Sequence, residues 1–352
     1  MLEAFTKKHT FHFNQPGCTS RGVLTSKDSW FILIINSDQP HIIGIGECSI
    51  IKGLSIDDRP DFEKKLGEVC SDINNYQYWL DDGLVDFPSI RFGIETAIKD
   101  LATSGSRLLF PSLFTEGKDV IPINGLVWMG DYETMRSRII EKIEAGYSCI
   151  KVKIGAINIE DELKLLELIR SDFSEKDIEL RLDANGAFSP DEAMDKLNRL
   201  SKYKIHSIEQ PIKPHQWERM AELCERSPIP IALDEELIEV YSSEKIKQML
   251  DVINPNYIIL KPSFLGGFKQ SNVFIEEAEN RNIGWWVTSA LESNIGLNAI
   301  AQWTYTLDNS LPQGLGTGQL FSNNIPSPLY ISDNGLHYNR LKKWHLKEVL
   351  NV

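Results

Sequence analysis

The sequence predicts an α/β protein: a TIM-type barrel preceded by a separate α+β segment. Two observations carry this. From Val120 onward, short apolar strands alternate with amphipathic helices, which is the mark of βαβ units and a parallel sheet. About eight such strands follow one another, the number that closes a barrel rather than leaving an open sheet.

The elements follow in chain order. In the first 118 residues, Trp30–Ile35 and His41–Glu47 read as strands. Ser89 to Ala102 reads as a helix, because Ile90, Ile94, Ala97, Ile98 and Leu101 fall on one stripe and Phe87-Pro88-Ser89 supplies a start. The barrel strands are expected at Ile121–Val127, Cys149–Ile154, Ile178–Asp183, Ile205–Glu209, Ile229–Asp234, Tyr257–Lys261, Trp285–Ser289 and Gly314–Thr317, the last short and rich in glycine. Helices are expected between most of them, at Asp131–Ala145, Glu160–Arg170, Pro190–Leu200 and Phe268–Arg281. The domains are therefore drawn at 1–118 and 119–325, with the tail 326–352 returning to the first domain.

Composition narrows the function. The formal charge of −13 opposes a phosphate backbone and argues against nucleic acid as a partner. No charge-free apolar run approaches the ~18 residues of a membrane span, and the opening MLEAFTKKHTFHF has no leader-like apolar core. Five scattered cysteines, Cys18, Cys48, Cys70, Cys149 and Cys224, form no C-x-x-C pair, which fits reduced thiols in a cytoplasm. The expected partner is a small molecule; the sequence leaves the oligomeric state open.

Barrel active sites form where strands end. Five successive strands here end in charge: Lys151-Val-Lys153, Asp183, Glu209, Asp234 and Lys261. Lys153, Asp183, Glu209, Asp234 and Lys261 recur at intervals of 25 to 30 residues, one βα unit each. A single Asp at such a place is usually a helix cap; five charged ends in order are not explained that way. Three converging carboxylates repel unless a cation joins them. All-oxygen ligands suit Mg²⁺, with Mn²⁺ as a substitute, better than zinc. Lys151 and Lys153 share a strand face. Metal and neighbouring cations are expected to lower the lysine pKa values toward a neutral amine.

This constellation resembles the enolase superfamily, in its muconate-lactonizing-like branch. The resemblance implies a capping domain, a (β/α)7β barrel and a tail completing the cap. It assigns Asp183, Glu209 and Asp234 as metal ligands, Lys151 and Lys153 as the K-x-K pair, and Lys261 as the opposing lysine. The helix Arg91-Phe-Gly-Ile-Glu-Thr-Ala-Ile-Lys-Asp-Leu-Ala102 matches as well. It implies abstraction of a proton α to a carboxylate, giving an enediolate stabilised by Mg²⁺. Lys153 is expected to be the acid/base residue and Lys261 the electrostatic stabiliser.

Within the superfamily, Ser289-Ala-Leu-Glu-Ser-Asn-Ile-Gly296 and Thr19-Ser20-Arg-Gly-Val23 resemble the o-succinylbenzoate synthase family. That implies syn-dehydration of a cyclohexadiene dicarboxylate on the route to menaquinone. The eighth strand reads Gly314-Leu-Gly-Thr-Gly318, without the Asp-x-Asp that holds a substrate ammonium in dipeptide epimerases. An N-succinylamino acid racemase, a dipeptide epimerase or a cycloisomerase remain alternatives, and a Schiff-base aldolase is the alternative of another class. Asn185, Glu235, Ser289, Thr19 and Ser20 are expected to support the site or touch substrate, and the loop Gln15–Thr25 to cover it. Other motifs carry less. Gly44-Ile-Gly46 reads as a turn, not a dinucleotide fingerprint; His9 and His12 sit on an edge strand without chemistry; Trp285-Trp286 reads as core packing.

Overall fold

The computed structural model describes residues 1–19 and 22–350, with backbone alone at Cys18, Thr19 and Glu348. Ser20 and the Thr19 side chain, both expected near substrate, therefore lie outside the described residues.

The chain opens with an antiparallel sheet of β1 (Leu2–Thr19), β2 (Gly22–Asn36) and β3 (Gln39–Ser49), in that order, with β1 at an edge. Helix α1 (Phe62–Ser71) and helix α2 (Pro88–Ala102) follow. Trp30, Ile32 and Ile34 meet Ile90, Ile94 and Ala97 in one buried cluster. Gly44 and Gly46 are not a turn: both lie inside β3. A Cβ at Gly44 would stand 2.2 Å from Ala97 O, and one at Gly46 would stand 1.8 Å from Gly93 O. They are small because α2 lies directly on the strand.

Seven parallel strands form the second sheet: β5 (Gly125–Val127), β6 (Cys149–Lys153), β7 (Glu179–Asp183), β8 (Ser207–Glu209), β9 (Ile231–Leu233), β10 (Tyr257–Leu260) and β11 (Gly284–Val287). Each neighbours the next in chain order. The helices between them are α3 (Tyr132–Glu144), α4 (Ile159–Arg170), α5 (Pro190–Leu200), α6 (Trp217–Arg226), α7 (Ser243–Ile253), α8 (Phe268–Glu279) and, after β11, α9 (Asn294–Thr306). Their apolar faces and the outer faces of the strands share one large core.

Two expected strands differ. Ile121–Val127 is split, and β4 (Ile121–Pro122) leaves the barrel to pair with a hairpin of β12 (Leu329–Ser332) and β13 (Gly335–Tyr338). Pro122 has no N–H to continue a ladder. Gly314–Thr317 is not a strand. Closure there rests on two parallel bridges, Ile123 with Gln313 and Thr288 with Gly314. Gly316–Gln319 turns into a 3₁₀ segment instead.

The tail beyond the hairpin brings Trp344, Leu346 and Val349 onto Phe11, Phe31 and Ile45 of the first sheet. Two carboxylates fix that sheet and α2 to the barrel. Glu47 Oε1 accepts from Ser293 N at 2.9 Å; its Oε2 accepts from Ser293 Oγ at 2.6 Å and Gly296 N at 2.9 Å. Glu95 accepts from Phe268 N at 2.6 Å and Lys269 N at 3.1 Å. Both satisfy helix N-termini that otherwise present orphan N–H groups and partial positive charge. They sit on the helices that follow the sixth and seventh barrel strands, so the first domain covers the C-terminal ends of the strands.

Glu47→Ala leaves these donors buried without an acceptor. It is expected to destabilise the fold by about 1–3 kcal/mol, read as a lower urea midpoint, with Glu47→Gln losing less. An unchanged midpoint for Glu47→Ala would show that the contact contributes nothing to docking.

Candidate active site

The strand register sets the inward rim. Lys153 pairs with Asp183 and Asp183 with Glu209, so three neighbouring strands end their inward faces on charge at one level. Asp234 and Lys261 follow directly after β9 and β10. All six charged residues are brought together. Lys153 Nζ donates to Asp183 Oδ2 at 2.8 Å and to Asn185 Oδ1 at 2.6 Å. Lys151 Nζ stands 3.0 Å from Asp183 Oδ2 and donates to Glu209 Oε2. Lys261 Nζ donates to Asp234 Oδ2. Asp183, Glu209 and Asp234 are at most 2% exposed.

Burial would raise all three carboxyls, and neighbours decide the outcome. Lys151 and Lys153 outweigh burial at Asp183 and hold it far below the usual carboxylate range. At Asp234, too, burial is outweighed, chiefly by Lys261, and the carboxyl is lowered. At Glu209, burial joined by repulsion from Asp183 wins, and its carboxyl is pushed well up. Lys151 and Lys261 are raised by the protein's own groups, against the lowering expected with a metal bound. Burial would lower Lys151 and Lys261, but the carboxylates around them overcome it and raise both. The expected lowering requires positive charge from a bound cation, while the protein's own groups at this rim pull the other way.

Among the described residues, no three acidic, histidine or cysteine side chains stand gathered at ligating distance; the ammonium groups lie between the carboxylates. The residues nonetheless fit a divalent cation. Glu209 Oε1 is buried with no hydrogen-bond partner, and Glu209 is the carboxyl that its acidic neighbours push up. A hard cation satisfies an orphaned oxygen and relieves that repulsion together.

Support comes from the next residues along. Asn185 is left-handed, at φ 44°. Its N–H donates to Asp183 Oδ1 at 3.0 Å, and its Nδ2 donates to Glu235 Oε1 at 3.0 Å. Glu235–Asn185–Lys153 is thus one chain of hydrogen bonds. Ser289 bonds Thr317 across the ends of the seventh strand and the closing segment.

These groups open into a cavity of about 560 Å³. Its far wall is the first domain: Phe13, Asn14, Gln15, Gly17 and Leu24 from the first hairpin, and Ile51, Lys52 and Leu54 beyond β3. Gly17 lies against the Trp128 ring, which also faces Lys153 Nζ at 5.5 Å from its centroid. Trp128, Thr288 and Thr317 were not singled out from sequence. Trp128 follows its strand as directly as Asp234 follows β9, so reading the first strand's end with the others would have found it. Trp286 is core, as expected, but it also lines the cavity, with the Arg181 guanidinium 4.2 Å from its ring centroid.

The profile of the enolase C-terminal domain-like family matches residues 134–337. The chain is 46% identical to o-succinylbenzoate synthase of Desulfotalea psychrophila, over 95% of this chain and 98% of that protein. The crystal structure of MenC from the same organism superposes with a TM-score of 0.84 at 42% identity, covering 96% of this chain and 99% of that one. A dipeptide epimerase from Enterococcus faecalis, complexed with Mg and the dipeptide L-Leu-L-Tyr, has a TM-score of 0.82 over 96% of each chain. At 19% identity it shares the fold.

The loop after Lys153 yields a pH-dependent prediction. Glu162, on α4, accepts from Gly155 N at 2.5 Å. Burial raises its carboxyl to about 7, despite backbone N–H groups that favour the charge. The folded state therefore takes up a proton between the ordinary value of 4.5 and about 7. The stability this group contributes is present below 4.5 and lost as pH rises through 7. Urea unfolding across that window is expected to show a shallower pH dependence in Glu162→Gln than in the unaltered protein; identical slopes would assign the effect elsewhere.

Proposed function

Because the chain belongs to the enolase superfamily, we propose that it carries out the reaction of its o-succinylbenzoate synthase relatives: syn-dehydration of 2-succinyl-6-hydroxy-2,4-cyclohexadiene-1-carboxylate to 2-succinylbenzoate, a step toward menaquinone. The observation that carries this reading is 46% identity over nearly the full length of both chains. The lysine–carboxylate rim supports it. So does the closing segment Gly314–Gly318, which offers Thr317 and no carboxylate where a dicarboxylate must be accepted. The proposed place of action is the cytoplasm; among the described residues, no helix is long and apolar enough to cross a membrane.

Members of this superfamily bind Mg²⁺. Asp183, Glu209 and Asp234 are the proposed ligands. Bound there, the cation would draw charge from the substrate carboxylate and so acidify the adjacent C–H.

The chain's own residues divide the remaining work. Lys153, held by Asp183 and Asn185, takes the α-proton as a neutral amine. The electron pair left behind moves into the ring and the carboxylate. Lys261, on the opposite side, stays protonated and stabilises the negative charge that develops there. The C–O bond to the 6-hydroxyl then breaks. Lys153 returns its proton to the departing hydroxide on the same face, and water and an aromatic ring result. Lys151, beside Lys153 and bonded to Glu209, helps hold the substrate carboxylate. The first hairpin, seated on Trp128, keeps bulk water from the charged intermediate.

The test is formation of 2-succinylbenzoate. Activity is expected with Mg²⁺, lost with a chelator and restored by Mg²⁺ or Mn²⁺; turnover that survives thorough chelation would remove the cation from the scheme. Lys153→Ala is expected to lower kcat by about 10²–10⁴-fold or more. Lys261→Arg keeps charge but misplaces a planar guanidinium, so it should retain more activity than Lys261→Ala. If Lys153→Ala keeps near-normal kcat while Lys261→Ala does not, the two sides are reversed.

A further inference from the structure

Asp183, Glu209 and Asp234 stand at the ends of three neighbouring strands, and one residue that is not among them ties the turns that follow. Gln210 comes directly after Glu209. It is fully buried and left-handed, at φ 41°, a backbone state that a residue with a Cβ keeps when its surroundings hold it there. Its amide has two donor hydrogens and two acceptor lone pairs, and all four are engaged. Oε1 accepts from Asp234 N and from Glu236 N, both at 3.2 Å. Nε2 donates to Ile212 O at 3.0 Å and to Glu236 Oε2 at 3.1 Å. Glu236 Oε1 accepts from His215 N at 2.7 Å, so the far end of this clamp is fixed as well.

The main chain of Gln210 reaches the strands on either side. Its N–H donates to Ala232 O of β9 at 2.9 Å, and its carbonyl accepts from Gly186 N, beyond β7, at 2.7 Å. The ladder between β8 and β9 ends at the pair Glu209–Ala232, two residues short of Asp234. From there the side chain of Gln210 takes over the join. Without it, the turn that carries Asp234 would lose its direct tie to the residue that follows Glu209.

We propose that Gln210 is a positioning residue: its amide fixes the Asp234 turn against Glu209 and so sets the affinity of the rim for its divalent cation. This rests on the proposed reading of Asp183, Glu209 and Asp234 as the ligands. Glu209 and Asp234 repel one another. Carboxylates on a loose turn would spread, and a cation would have to draw them together at a cost in affinity; a tied turn holds them ready. None of the four amide partners is a lysine. Gln210 therefore acts on the holding of the cation and leaves proton transfer at Lys153 and charge stabilisation at Lys261 as they are.

The experiment titrates the full chain with Mn²⁺ and counts the free ion by electron paramagnetic resonance, which needs no turnover. Gln210→Met keeps the bulk and removes the amide. Gln210→Asn keeps the amide and tolerates the left-handed backbone, but is one methylene too short to span the turn. Each is expected to weaken Mn²⁺ binding by about 10–100-fold. Glu47→Ala, destabilised at the docking of the first domain, is expected to change it by less than about twofold, as a distant and independent site. In turnover, the Mg²⁺ concentration for half-maximal activity should rise in both Gln210 variants, while kcat at saturating Mg²⁺ stays within about threefold of the unaltered protein. Unchanged Mn²⁺ affinity in the Gln210 variants overturns the inference. So does an equal loss in Glu47→Ala, which would mark general loosening, or a fall in kcat that saturating Mg²⁺ does not restore. Gln210→Asn decides alone if Gln210→Met does not fold. Failure of the ligand reading is seen separately: Glu209→Gln would then bind Mn²⁺ as tightly as the unaltered protein, and the inference would fall with it.

Discussion

The site is governed by the cost of burying charge. Asp183, Glu209 and Asp234 lie almost wholly out of water, and each is costly there without a partner. Lys151, Lys153 and Lys261 supply three ammonium groups against three carboxylates, so the rim is close to neutral by itself. Neutrality does not make it relaxed: Glu209 is still pushed up by its acidic neighbour. A divalent cation held there would add two positive charges. The same requirement shapes the layer below. Arg181 is 1% exposed, and it stacks on Trp286, bonds Glu179 at 2.7 Å and reaches Pro312 O at 2.8 Å. Aromatic surface and a tied guanidinium fill the barrel under the rim, which confines the charged ends to its mouth.

A buried charged rim needs a cover, and the cover must not drift. Glu47 and Glu95 project from the first domain onto the N-termini of α9 and α8. At α8, whose N-cap is Gly267, the carboxylate does what a capping side chain ordinarily does; at α9 it adds to Ser293, whose Oγ accepts from Ile295 N. The docking is therefore directional, because the free N–H groups donate along the helix axis. The first domain is also tied by β1, whose Asn14 N–H bonds Leu320 O at 2.8 Å just past the closing segment. Rotation of the whole domain would break several buried hydrogen bonds together.

What was legible in the sequence follows from periodicity. Strands that each end in charge one βα unit apart declare both the barrel and its rim, because the fold brings successive strand ends together. The positions of Asp183, Glu209, Asp234 and the three lysines needed no further information. The eighth strand was less legible, because Gly314-Leu-Gly carries little strand preference and its two bridges depend on partners from elsewhere in the chain. Gly44 and Gly46 looked like a turn because a glycine required by an approaching helix is indistinguishable, locally, from one required by a bend. Asn124 gave no signal: that its Oδ1 is buried without a partner is visible only in the packing. The raised pKa values of Lys151 and Lys261 were also beyond sequence, since they depend on which oxygens the ammonium groups reach.

The weak eighth strand has a consequence for the barrel wall. A full strand at Gly314–Thr317 would continue the ladder up the side of β5 and wall off Leu126 from Tyr147. Glycines at 314 and 316 instead leave that side thin; a Cβ at Gly314 would stand 2.1 Å from Thr288 Oγ1, so even one added carbon is refused there. The rim's chemistry needs only the strands from β6 to β10 and is indifferent to this gap. A superfamily built this way can change its substrate by altering the closing segment while the lysine–carboxylate arc remains as it is.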